Sequence, residues 1–134
     1  MWFLALLDGK TIPYALVRDK KIQALYHQRP EYLRNQFIEG LFDETLISKY
    51  IPFRFVPNNF PYFVEDGILH FVFWIRPHYD GDLSYSVIRP QIGKFVLSRF
   101  MKPLEFYYFK NSNENKSIQE IEHYHVFVKY SELF

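Results

Sequence analysis

The run Ile68-Leu69-His70-Phe71-Val72-Phe73-Trp74-Ile75 constrains this fold more than any other part of the chain. Most of its residues are β-branched or aromatic, the types that pack well on a pleated surface. Successive strand side chains point to opposite faces, so an unbroken apolar run needs cover on both. That describes a central strand and implies a sheet around it. His70 is its one polar member, so apolar burial does not account for it.

The other elements follow from the period of the apolar residues. Asp19 to Gln28 reads as a short helix with Ile22, Leu25 and Tyr26 on one side. A second helix starts after Arg29, with Pro30 at a favourable first-turn position. It carries Leu33, Phe37, Ile38, Leu41, Phe42, Leu46 and Ile47 at helical spacing; Gly40 leaves open a break into two helices near Gly40 to Asp43. From Tyr50 the period becomes two, with Phe53 and Phe55 on one face until Pro57-Asn58-Asn59 stops the strand. Pro77 to Asp82 reads as a loop, Pro90 to Phe100 as a helix and Leu104 to Phe109 as a strand. Lys110 to Lys116 reads as a polar loop, and about Ile121 to Tyr130 as the last strand. The expected class is α+β: N-terminal helices, then a mainly antiparallel sheet with one inserted helix.

A chain of 134 residues corresponds to one domain. Its 49% apolar and 21% aromatic content is far above that of disordered chains and predicts a core built from rings. The balance of 16 Lys and Arg against 15 Asp and Glu argues against a nucleic-acid-gripping surface, which needs a strong basic excess. The absence of cysteine excludes disulfides, thiolate metal sites and thiol nucleophiles. The apolar start Met1 to Leu7 lacks a basic leader and ends at Asp8-Gly9-Lys10, so it reads as a buried first element. No run approaches the roughly 20 apolar residues of a membrane span. The expected location is cytoplasmic, with no membrane partner.

His123 and His125 stand two apart on an expected strand, which puts both imidazoles on one face. Such a pair can bind an anion, bind a metal or divide a nucleophile's work. A pair of surface histidines is the plainer alternative. A metal site would have to combine His70, His123 and His125, with Glu120 and Glu122 near in sequence. Asn59 lies in the turn Asn58-Asn59-Phe60-Pro61-Tyr62, whose asparagines suit unusual backbone angles. Phe60, Pro61, Tyr62 and Trp74 are expected to shape a pocket wall. The loop before the last strand offers Lys110, Asn111 and Ser117 as ligands for phosphate oxygens; Asn111 or Ser117 is expected at the pocket rim.

The order P-N-N-F-P-Y, G-I-L-H-F-V-F-W, F-K-N and S-I-Q-E-I-E-H-Y-H-V-F-V resembles the uncharacterised family that includes fungal N-acetylglucosamine-induced proteins, from about Arg18 to Lys129. A more distant resemblance joins Asn59 to Tyr62, Gly67 to His70, Pro77-His78, Pro90 to Phe100, Asn111 and His123 to His125 to the running order of the histidine-triad superfamily. That resemblance implies a HIT-like sheet and a strand histidine, His123 or His125, attacking the phosphorus of a nucleotide or sugar-nucleotide. It implies Asn59, His70, Lys110, Asn111 and Ser117 around the substrate, no cofactor, and the homodimer that histidine-triad proteins often form. The triad is incomplete: Ile121 holds its first position if His123 is the nucleophile, and Phe127 its last if His125 is. A binding module of the same fold without catalysis is the alternative.

Overall fold

The computed structural model describes residues 3–14, 16–62, 66–113, 116 and 118–130. Its elements are a 3-10 turn at Phe3–Leu7, β1 (Lys10–Ile12), α1 (Lys20–Gln28), α2 (Glu31–Leu41), β2 (Phe53–Pro57), β3 (Ile68–Ile75), α3 (Tyr85–Arg99), β4 (Pro103–Asn111) and β5 (His123–Tyr130). The five strands form one sheet in the order β1-β4-β5-β3-β2. β2, β3, β5 and β4 are antiparallel neighbours, whereas β1 pairs parallel to β4, so the sheet is mixed.

The strand β1 was not expected. Three residues are too few for a period of two to show, and the pairing is created by the turn before them. Asp8 accepts from the Tyr108 amide at 3.1 Å, and the Gly9 amide donates to the Tyr108 carbonyl at 2.6 Å. Gly9 has φ +75°, and a Cβ there would run into the Tyr85 ring. Only glycine makes that turn without strain. Within the preceding turn, Leu4 and Leu7 are buried as expected, while Leu6 is exposed.

α1 forms as expected, α2 ends within the Gly40 to Asp43 break that the sequence left open, and α3 starts earlier than expected. Asp19 caps α1 by accepting from the Lys21 and Ile22 amides, the usual solution for unpaired first-turn donors. α2 stops at Leu41 and does not continue to Ile47; Asp43 turns the chain by accepting from the amide and hydroxyl of Thr45. α3 begins at Tyr85, and Pro90 lies inside it. Proline removes one helical hydrogen bond; Pro90 and Ser86 are both exposed, on the solvent side of the helix.

The sheet separates two environments. Toward α3, Phe71, Phe73, Tyr124, Val126 and Val128 pack on Ile88, Ile92 and Val96. The opposite face carries Val72 and Trp74 against Leu41 of α2, and Phe109 and Phe127 against Leu4 and Leu7. Over this second face α1 buries no residue fully and α2 buries only Leu41. The histidines stand here.

Candidate functional site

The alternation of β3 and β5 sends His70, His123 and His125 to the same face, beneath the Asn58–Tyr62 segment. His70 and His125 belong to a closed polar circuit. The Tyr62 amide donates to His70 Nδ1 at 3.2 Å, and His70 Nε2 meets His125 Nδ1 at 2.8 Å. His125 Nε2 lies 3.2 Å from the Asn111 side-chain amide, which meets the Tyr62 hydroxyl at 2.8 Å. One fixed donor orders the protons. A backbone N–H can only donate, so His70 Nδ1 accepts and its proton sits on Nε2, directed at His125 Nδ1. A neutral His125 then carries its proton on Nε2 and needs an acceptor, so the Asn111 amide is turned to present its oxygen, which accepts from His125 Nε2 and from the Tyr62 hydroxyl.

Electrostatics keep the pair uncharged. Burial pushes His70 down to about 3, and the nearby Arg18 charge acts in the same direction. Burial likewise holds His125 well below the ordinary histidine value, aided by its neighbours His70 and His123 and by Arg18. Both ring nitrogens of each residue are occupied. Neither has a lone pair free to attack or to ligate, so His70, His123 and His125 do not converge as a metal-binding group among the described residues.

His123 differs. Its Nδ1 donates to the Ile121 carbonyl at 2.8 Å, which leaves the lone pair on Nε2. That nitrogen has no partner among the described residues and is not sealed from solvent. Burial lowers its pKa, overcoming the Ile121 carbonyl and Glu122, which favour the charged form. Trp74 supports the ring, with centroids 4.5 Å apart. The result is a neutral, oriented imidazole with one available nitrogen.

His123 and His125 line a cleft of about 230 Å³ between the sheet, α2 and the 57–60 segment. Val72, Trp74 and Ile118 contribute its apolar floor, and Leu33 and Phe37 one wall. Arg18, Arg29 and Arg34 also line it, and no carboxylate does among the described residues. Arg18 donates to the Phe60 carbonyl at 2.9 Å and lies 4.0 Å over the Tyr26 ring. Arg34 pairs with Glu120 at 3.0 Å. Trp74, only 3% exposed, has an indole N–H with no acceptor among the described residues.

The expected substrate-binding residues are distributed unevenly. Asn59 lines the cleft and is exposed. His70 lies beneath it, bonded to His125. Asn111 is buried behind His125 and not at the rim, its amide committed to Tyr62 and His125. Lys110 is not brought to this site: it projects to the opposite face, 6.0 Å from the Tyr124 ring. The reason is that β4 extends to Asn111, so these adjacent residues point opposite ways. Ser117 lies outside the described residues. Trp74 and Phe60 line the cleft as expected, while Tyr62 closes the buried circuit below it.

Asn58 accepts from the Phe60 amide at 2.7 Å and so forms the expected turn, over His70. Sequence reasoning missed the three arginines. Arg18 precedes the helix cap Asp19, and Arg29 separates α1 from α2. Their helix-end positions were the available signal.

Residues 15–129 match the family described as "Protein of unknown function (DUF3605)". The solved structure "Crystal Structure of HTC1" is similar in fold, with TM-score 0.56 and 21% identity over 87% of this chain and 77% of that one. No curated protein matches.

Proposed function

This chain belongs to the DUF3605 family, and from that premise we propose that it is a HIT-like phosphate-ester enzyme acting on a nucleotide or sugar-nucleotide through His123. The observation that carries the reading is the Nδ1–H bond from His123 to the Ile121 carbonyl, which leaves the opposite nitrogen available in an arginine-lined cleft. Imidazole suits this task as a competent nucleophile and good leaving group near neutral pH.

In the proposed reaction the Nε2 lone pair attacks phosphorus, and the P–O bond to the leaving phosphate breaks with its electron pair on oxygen. Nδ1 keeps its proton, and the Ile121 carbonyl stabilises the positive charge on the ring. Water then attacks phosphorus and the P–N bond breaks. The electron pair returns to Nε2, and the water proton passes to solvent. An arginine of the cleft holds phosphate oxygens, while the His70–His125–Asn111 circuit positions the strand without exchanging protons with the substrate.

The test is mass spectrometry after brief incubation with dinucleoside polyphosphates, nucleoside phosphoramidates and UDP-sugars. Wild type gains the mass of one nucleotidyl group. His123→Asn gains none, and His125→Asn gains some at a reduced rate. A binding module without catalysis is the second reading. Ile121, buried where the first histidine of a triad would stand when His123 is the nucleophile, favours it. Tight binding with no adduct and no hydrolysis selects that reading.

A further inference from the structure

The three cleft arginines are not equivalent. Arg18 is fixed on the Phe60 carbonyl, and Arg34 is neutralised by Glu120. Arg29 has neither kind of partner among the described residues. Its guanidinium carbon sits over Tyr26, 4.1 Å from the ring centroid, and 5.7 Å from that of Phe60. Its backbone is extended, at φ −61° and ψ 133°, between α1 and the helix that follows Pro30. Stacking fixes the plane of a guanidinium without using its N–H donors. Arg29 is therefore a half-buried cation held against a ring, with no acceptor for its N–H groups among the described residues, in a cleft that no described carboxylate lines.

The remaining wall has different chemistry. Leu33 and Phe37 are exposed on α2 and face the cleft with Trp74. Phe37 meets Trp74 edge to face at 5.6 Å. These residues make an apolar shelf over the buried Trp74 indole, whose N–H has no acceptor among the described residues.

We propose that Arg29 is the phosphate-recognising residue of a two-part site, with the ligand's planar ring lying along Leu33, Phe37 and Trp74. The ligand class is a planar heteroaromatic group joined to a phosphate, as in a nucleoside monophosphate unit. This deepens the reading of the same cleft and rests on it for the ring-bearing phosphate ester, but it does not depend on His123 reacting.

The experiment is calorimetric titration of the full chain with AMP, UMP, adenosine, ribose 5-phosphate and inorganic phosphate. At least one nucleotide binds more tightly than ribose 5-phosphate and inorganic phosphate, which lack the ring. Arg29→Gln weakens that nucleotide about tenfold to a hundredfold, the worth of charged hydrogen bonds, and leaves adenosine binding unchanged. Arg29→Lys restores only part of the loss, because an ammonium lacks the planar fork. Phe37→Ala weakens nucleotide and adenosine alike. Melting curves for each variant confirm that the fold is kept, and Phe37→Ala tests the ring shelf independently should Arg29→Gln not fold. Equal nucleotide affinity in wild type and a folded Arg29→Gln overturns the proposal, as does failure of both nucleotides to bind. The outcomes separate from those of the reaction: Arg29-dependent binding without a His123 adduct removes the enzyme and keeps this site. An adduct whose formation at low substrate is indifferent to Arg29 does the reverse.

Discussion

The two faces of the sheet are made by alternate residues of the same strands, yet they do different work. On the α3 face, Phe73, Val126 and Val128 are sealed against Ile88, Ile92 and Val96. On the other, His70, Trp74, His123 and His125 are nearly as buried, but the helices above them bury little and leave a cleft. One face is closed by an apolar helix, so it stabilises the fold. The other has an incomplete cover and a polar interior, so its stability depends on its hydrogen bonds and the proposed chemistry on the one nitrogen left over.

The largest effect should come from the closed face. Phe73→Ala is expected to cost about 3–5 kcal/mol in urea denaturation, because the residue is fully buried. Leu33→Ala, exposed on the cleft side, should stay within about 0.5 kcal/mol. Similar costs for both would remove the distinction between the faces.

Acid should attack the histidine face next. The folded pKa of His70 is about 3, below the ordinary 6.5, so between those values the unfolded chain binds a proton that the folded chain refuses. Its contribution is complete above pH 6.5 and is lost as pH falls toward 3; His125 acts in the same direction. Urea midpoints at about pH 7 and about pH 4.5 check this. A His70→Gln variant whose midpoint falls as steeply as wild type would contradict it.

A smaller loss, about 1–3 kcal/mol, is expected for Asn111→Ala, which leaves the Tyr62 hydroxyl and His125 Nε2 unpaired. Thermal denaturation at neutral pH measures it, and a neutral result would mean that the circuit does not hold this face. The smallest effect belongs to Arg34 and Glu120, whose exposed pair should show a coupling of at most about 1 kcal/mol in a double-mutant cycle.

The strand Ile68–Ile75 and the common face of His123 and His125 were legible, because a period of two is written directly into those segments. The partners of the histidines were not. His70 and His125 meet through strand pairing across a sequence separation of 55, and no local pattern encodes that register. Lys110 was misplaced because the polar run hid two residues of strand, and one residue of register reverses a side chain. The start of α3 was missed because Pro90 resembles a first-turn proline, although its helix had begun at Tyr85. Arg29 carries no motif, and its significance comes from what it stacks on.

The central claim is that this face offers one available imidazole nitrogen, on His123. Nitrogen-15 NMR of the three ring systems tests it without requiring a substrate. The account predicts His123 as the neutral Nδ1–H form, titrating below the ordinary histidine range and shifting when a nucleotide is added. His70 should be the Nε2–H form, and neither it nor His125 should titrate near neutrality. A His123 in the Nε2–H form, or a His125 that titrates freely near neutrality, would contradict the account.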